Sequence, residues 1–122
     1  GLESYVTFHL RDIQEGFFET DVDALFLDVR SPWRYLAAVK RALRPGGRLA
    51  ILLPTTNQVS AVLRQLYQMS FADLRVEELL LRRYKPVPDR LRPEDQMIGH
   101  SGYMVFARNM IEDTSAWLPV QV

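Results

Sequence analysis

The sequence predicts an α/β fold built on a mixed sheet, and three observations predict it. Two short, almost wholly apolar runs, Ala24-Leu-Phe-Leu27 and Leu49-Ala-Ile-Leu-Leu53, have the length and composition of parallel strands buried on both faces. A segment of helical periodicity separates them, and a second amphipathic helix follows, which is strand–helix alternation. Two later β-rich segments are joined by a long polar loop, which adds a terminal pair with one antiparallel member.

The elements follow in order. Residues 5–10, Tyr-Val-Thr-Phe-His-Leu, carry β-branched and aromatic side chains and predict a short strand. Residues 16–22 connect, with Phe17 and Phe18 covering an edge. After the first apolar run, Ser31 suits an N-cap and Pro32 a first helical position. Trp33, Leu36, Ala37 and Leu43 share a helical face, and Pro45-Gly46-Gly47 stops that helix. Thr55 and Gln58 fit a capping box opening a helix whose stripe is Val59, Val62, Leu63, Leu66 and Met69. Leu74 and Val76 alternate, Glu77-Glu78 break the phase, and Leu79 and Leu81 resume it, predicting a long strand with a bulge at the acidic pair. Residues 103–107, Tyr-Met-Val-Phe-Ala, form the last strand. The stretch 85–99 between these two carries Pro86, Pro88 and Pro93, and a loop of that length is more often functional than idle.

Composition bounds the chemistry. The 122 residues fit one domain with a real core, and 48% hydrophobic with 25% charged residues is ordinary globular composition. Fifteen basic residues balance 15 acidic ones, so no global field advertises nucleic-acid binding. The absence of cysteine removes disulfides, thiolate metal sites and cysteine nucleophiles, and makes a cytoplasmic setting the expectation. His9 stands alone and no plausible metal set exists. No apolar run approaches the roughly 18 residues of a membrane span. The chain opens without Met, and the expectation is that it is cut from something longer.

Asp28 stands where the first buried strand delivers its C-terminal end, the place where open α/β sheets bind ligands. Arg82, Arg83, Lys85, Arg90 and Arg92, with Tyr84 among them and a lone Asp89, make a local basic cluster leading into the long loop. Such runs are usually solvated faces, and here the position beside the expected site favours phosphate contact.

Four segments together resemble one family. Phe8-His-Leu-Arg-Asp12-Ile resembles the strand-then-acid segment near the cofactor's adenine in S-adenosylmethionine-dependent methyltransferases. Asp28-Val-Arg-Ser-Pro32-Trp33 resembles the Asp-Leu-Pro-x-Pro-Trp motif of the tRNA adenine-N1 methyltransferases that modify position 58 of the T-loop. Leu43-Arg-Pro-Gly-Gly-Arg48, Leu53-Pro54 and Gln58-Val59 resemble that family's next helix stop, strand and helix start. Gly99-His-Ser-Gly-Tyr-Met-Val-Phe-Ala107 resembles its closing Gly-His-Thr-Gly-Tyr-Leu-x-Phe-Ala strand. The resemblance spans nearly the whole chain but about the C-terminal half of the family's catalytic domain. It implies that residues 1–122 form the C-terminal part of a single Rossmann-like methyltransferase domain. The first two strands, the glycine-rich loop and the acid that holds the cofactor ribose have no counterpart here, and Arg30 and Ser31 depart from the motif.

The resemblance implies S-adenosylmethionine as cofactor, tRNA as partner and a homo-oligomer, with no membrane partner. The product would be N1-methyladenine at position 58, and the isolated chain would be inactive. Asp28 would be catalytic, accepting from the exocyclic amine of adenine and stabilising the cationic product, and would also contact the cofactor's methionine end. Asp12 would hold the cofactor's adenine. Trp33, Gln58, Arg82, Arg83, Tyr84 and His100 would bind substrate. Each has a plainer reading: Asp28 as a turn cap, Asp12 as a solvated acid, Trp33 as helix–sheet packing, Gln58 as a capping-box member, His100 as a histidine bonded to a carbonyl. The alternatives for the whole are a related methyltransferase acting on a small molecule or protein carboxylate, or a non-catalytic tRNA-binding or assembly module. If residues 5–10 are the family's edge strand, two absent strands separate them from Ala24-Leu27. The exposed apolar edge then needs dimerisation, re-pairing of the orphan strand, or a missing half supplied in trans.

Overall fold

The computed structural model describes residues 1–97 and 99–111. A four-stranded sheet orders its strands β1 (Val22–Leu27), β2 (Leu43–Leu53), β6 (Tyr103–Asn109) and β3 (Phe71–Glu77). β1 runs parallel to β2, while β6 is antiparallel to both β2 and β3, the mixed sheet with one reversed member that the sequence predicts. A two-residue hairpin, β4 (Tyr84–Lys85) with β5 (Arg92–Pro93), projects from the connection between β3 and β6.

Helices α1 (Leu36–Ala42) and α2 (Thr56–Gln68) contribute to one apolar core. Alternate residues of β2, Leu49, Ile51 and Leu53, bury against Leu36 and Val39 of α1 and Val59, Val62 and Leu66 of α2. Val105 and Ala107 of β6 complete the layer, and Leu63 and Met69 pack beside it, so the predicted α2 stripe is borne out. Thr55 caps α2 through its hydroxyl, which accepts from the Gln58 backbone N–H at 3.3 Å. The return half of the capping box is missing, because the Gln58 side-chain oxygen has no partner.

Several elements differ from the expectation. Residues 5–10 form no strand: a 3-10 turn at Glu3–Tyr5 precedes an extended stretch in which Phe8 is 92% and Leu10 103% exposed. A strand exists only with a neighbour to bond, and among the described residues this segment is paired with none. β1 is correspondingly an edge rather than a doubly covered strand: of its residues only Leu27 is buried and Phe26 is 59% exposed. Phe17 packs on the core, whereas Phe18 is exposed beneath the Arg11 guanidinium.

Ser31 occupies a left-handed conformation (φ 57°) and makes no cap bond. Pro32 does begin a helical turn, the 3-10 turn Pro32–Arg34, and α1 follows separately. That helix ends at Ala42, because Leu43 is already extended (φ −76°, ψ 135°) and opens β2 two residues ahead of Pro45. The chain between Val22↔Leu43 and Ala24↔Arg48 is irregular, and Gly46 (φ 77°) and Gly47 allow that path. A Cβ on Gly47 would sit 2.8 Å from the Arg44 carbonyl oxygen. The β3 irregularity falls between Ala72 and Arg75, around Asp73 at φ 53°, and not at Glu77-Glu78. Leu79, Leu80 and Leu81 lie beyond the strand and are exposed.

Candidate active site at the strand tips

The sheet register decides what meets Asp28. Leu27 pairs with Ile51 and Leu53 with Tyr103, so the C-terminal ends of β1 and β2 and the N-terminal end of β6 arrive at one margin of the sheet. There Asp28, Val29, Arg30, Ser31 and Pro32 face Leu52, Leu53, Pro54 and Gln58 across a cleft of about 330 Å³, closed on a third side by Ser101 and Gly102. Larger concavities lie elsewhere, about 540 Å³ on the sheet face around Arg48, Arg75 and Arg108 and about 870 Å³ beneath Leu79 and Leu81. The strand-tip cleft is the one that joins a carboxylate with an unsatisfied polar atom. The Gln58 side-chain oxygen is buried without a hydrogen-bond partner, a costly state for an amide oxygen unless a donor arrives.

Asp28 is exposed at the rim. A carboxylate and an amide oxygen both accept, so the pair suits a ligand that brings N–H groups, an amino group or an amino-substituted heterocycle. Arg30 adds a positive charge on the same rim.

The structure brings Asp28 and Gln58 together and sets His100 beside them through Pro54. The His100 ring places Nε2 2.6 Å from the Pro54 carbonyl oxygen and Nδ1 2.9 Å from Glu78 Oε2, and stacks at a tilt on Tyr103. The Glu78 carboxylate, and then the Pro54 carbonyl, raise the imidazole's affinity for its proton above the ordinary histidine value. Trp33 is half-buried and packs against the core immediately after Pro32.

Asp12, Arg82, Arg83 and Tyr84 do not line this cleft. Asp12 caps the 3-10 turn Ile13–Glu15 by accepting from the Gln14 backbone N–H at 2.9 Å. Arg82, Arg83 and Tyr84 are exposed at the base of the hairpin, whose backbone is tied by the Glu94 N–H donating to the Arg83 carbonyl. Lys85 pairs with Asp95 at 2.9 Å, whereas among the described residues Arg82, Arg83, Arg90 and Arg92 form no ion pair. Residue 98 of the predicted loop lies outside the described residues. Sequence reasoning missed Pro54, Ser101 and Gly102 as cleft walls and Glu78 as the partner of His100. For Pro54, Ser101 and Gly102 the signal available was their place in the same motif segments as Gln58 and His100, and Glu78 had none.

Among the described residues no group of three or more metal-ligating side chains converges, and no helix is long and apolar enough to cross a membrane.

Comparison with known proteins gives the family. Residues 1–88 match the family model described as the tRNA methyltransferase complex GCD14 subunit. The chain is 35% identical over 98 residues to a tRNA (adenine(57)-N(1)/adenine(58)-N(1))-methyltransferase TrmI of Methanocaldococcus jannaschii, covering 80% of this chain and 35% of that protein. It superposes on a tRNA (m1A58) methyltransferase TrmI of Aquifex aeolicus with a TM-score of 0.76 at 40% identity, covering 83% of this chain and 41% of the other. It also superposes on a SAM-dependent O-methyltransferase of Thermotoga maritima with a TM-score of 0.84 at 48% identity, covering 93% of this chain and 45% of the other. The chain thus spans less than half the length of each of these relatives.

Proposed function

The chain belongs to the family of tRNA methyltransferase complex GCD14 subunits, and from that premise we propose that residues 1–122 are the C-terminal part of a single methyltransferase catalytic domain. The whole protein would transfer a methyl group from S-adenosylmethionine to N1 of adenine 58 in the T-loop of tRNA. The observation that carries this reading is the cleft in which Asp28 and the partnerless Gln58 oxygen offer two acceptors at the strand tips.

S-adenosylmethionine, when bound, supplies an electrophilic methyl group on a sulfonium. Asp28 and Gln58 of this chain would hold it, since a carboxylate and an amide oxygen both accept and so fit the ligand's amino groups. N1 of adenine is itself nucleophilic, so no strong base is needed. What the residues must do is place the base and accommodate positive charge on the ring. Asp28 accepts from the exocyclic amine, which becomes a stronger donor as the ring turns cationic, and its charge offsets the new one. Gln58 accepts a second N–H. Trp33, packed on the core one residue beyond Pro32 of the cleft, would serve the substrate by supporting the turn that carries Asp28. Asp12 holds the cofactor's adenine through the oxygen not used by its own turn. N1 lies on the pairing edge, so the base is flipped out of the RNA to reach the cleft. Arg82, Arg83 and Tyr84, with the other unpaired arginines of the hairpin, hold tRNA phosphates and a stacked base.

A homo-oligomer is part of the proposal. β3 is an edge strand whose outer end continues into the exposed Leu79, Leu80 and Leu81, an apolar margin suited to a second copy. The cytoplasm is the proposed location, in keeping with a chain that has no cysteine.

Asp28→Asn in the intact protein tests the assignment. It keeps the shape, removes the charge, and is expected to lower kcat by roughly 100-fold or more while the KM for tRNA changes little. A wild-type kcat would remove Asp28 from the chemistry. The second reading, methyl transfer to an oxygen of a small molecule or protein carboxylate, is favoured by the 48% identity to the Thermotoga maritima O-methyltransferase. Charge reversal at Arg82 and Arg83 that left tRNA affinity intact would support it.

A further inference from the structure

The excursion between β3 and β6 is drawn shut at its base by one side chain. Glu78 directly follows β3 and His100 lies just before β6, and the 2.9 Å contact between them closes the neck of everything from residue 78 to residue 100. The same ring reaches out of that neck to the Pro54 carbonyl, 2.6 Å away, on the rim of the Asp28 cleft. One imidazole therefore ties three pieces of chain: the end of β3, the end of β2 and the start of β6. Carboxylate and carbonyl oxygens only accept, so both bonds form together only when both ring nitrogens carry hydrogen. A neutral imidazole can keep one and must drop the other.

We propose that His100 is a positioning residue that works as a charged clasp, its imidazolium holding the neck of the hairpin against the Pro54 rim so that the basic arm is presented to RNA only while the ring is protonated. This rests on the reading of the cleft and hairpin as a tRNA methylation site, and it adds the regulation of that site. The hairpin has little else to anchor it. β4 and β5 are two residues each, they pair only with each other, and their flanking Leu79, Leu81 and Leu91 are exposed rather than packed.

The groups facing the ring are few. Glu78 approaches from the end of β3 and the uncharged Pro54 carbonyl from the end of β2, and the Tyr103 ring packs at 4.6 Å between centroids from the start of β6. Among the described residues Glu78 is the one charged side chain in contact with the imidazole. It is also the principal cause of the raised proton affinity. The sign follows. The clasp is closed at pH below the raised His100 midpoint and opens as pH rises through it. With the ring 40% and the Glu78 side chain 32% exposed, solvent protons reach both without unfolding.

The test uses the intact protein that carries this chain, labelled with 15N-histidine. The His100 ring nitrogens are assigned with His100→Gln and titrated in wild type and Glu78→Gln. The expected result is a higher midpoint in wild type than in Glu78→Gln. Hydrogen-exchange protection of the Glu94 amide, corrected for intrinsic exchange, is expected to fall with the same midpoint. In steady-state assays the wild-type KM for tRNA is expected to rise roughly tenfold across that midpoint, one charge-assisted contact's worth. The His100→Gln KM is expected to be high and flat with pH. A His100 ring that holds one fixed neutral tautomer throughout, or a hairpin whose protection ignores the midpoint, overturns the clasp. A tRNA KM that stays flat in wild type while the hairpin follows the midpoint overturns its presentation role. Absence of any tRNA methylation, with the hairpin still following the His100 midpoint, overturns the functional reading and leaves the clasp standing.

Discussion

Asn109 offers the most quantitative check on how the site's scaffold is held. It is 5% exposed, the one buried polar or charged residue among the described residues, at the end of β6 farthest from the cleft. Its amide nitrogen donates to the Leu43 carbonyl at 3.0 Å, with longer 3.4 Å approaches to the Lys40 and Arg44 carbonyls, and its oxygen accepts from the Lys40 ammonium at 2.8 Å. One side chain thus closes the end of α1 onto the start of β2 from the end of β6. Asn109→Ala strips the side-chain donor from the Leu43 carbonyl, about 1–3 kcal/mol, and removes the acceptor from the Lys40 ammonium, a charged bond. The Lys40 ammonium keeps the Met110 carbonyl at 3.1 Å and the Ser70 carbonyl at 3.4 Å, so its share is at the low end for a charged bond. The expected loss is about 2–4 kcal/mol, or a fall in Tm on the order of 10–20 °C for a domain of this size. Urea unfolding followed by far-ultraviolet circular dichroism measures it. Asn109→Asp separates the two halves of the argument, because it keeps the acceptor for Lys40 and turns an oxygen toward the carbonyls. If the carbonyls matter, Asp is at least as harmful as Ala. Asn109→Ala within about 0.5 kcal/mol of wild type would refute the reasoning.

Three further outcomes follow from the same geometry. Gly47→Ala is expected to cost about 1–3 kcal/mol, because its Cβ would meet the Arg44 backbone oxygen at 2.8 Å and the Val22 oxygen at 3.3 Å. Gly46→Ala has open space apart from the Arg44 side chain and costs only its positive φ, about 1–2 kcal/mol; the two are compared by thermal unfolding. The His100 clasp contributes stability that is fully present below the ordinary histidine value and lost as pH rises through the raised folded value. The Tm difference between wild type and His100→Gln is therefore expected to shrink on going alkaline. Calorimetry with S-adenosylmethionine is expected to detect tight binding to the intact protein and little to this chain alone, since the chain offers one wall of the site.

Much of the scaffold was legible because local and tertiary signals agree. Ala24-Leu27 and Leu49-Leu53 are apolar on consecutive residues, Thr55 has the cap chemistry, and Val59, Val62 and Leu66 keep helical spacing and bury as spaced. Residues 5–10 misled because Val, Thr and Phe have β propensity whether or not a neighbouring strand exists to bond them. The acidic pair Glu77-Glu78 mimicked a bulge, whereas the real irregularity surrounds Asp73, whose tolerance of the left-handed region was the available cue. At the site, Asp28 was visible because it follows β1 directly, and Gln58 because it stands in the first turn of α2 three residues after the Thr55 cap. The contacts of His100 with Glu78 and Pro54 span 22 and 46 positions in sequence, and they depend on β6 lying between β2 and β3 in a particular register, which no local pattern encodes.

What the protein methylates is tested most directly by mapping the product. The intact protein carrying this chain is incubated with S-adenosylmethionine and unmodified tRNA transcript, and the RNA is digested and read by mass spectrometry. The account predicts one added methyl on adenine 58, at N1, abolished by Asp28→Asn and by replacing adenine 58. Methyl groups appearing on a carboxylate or small-molecule hydroxyl, with the tRNA left unmodified, would contradict it.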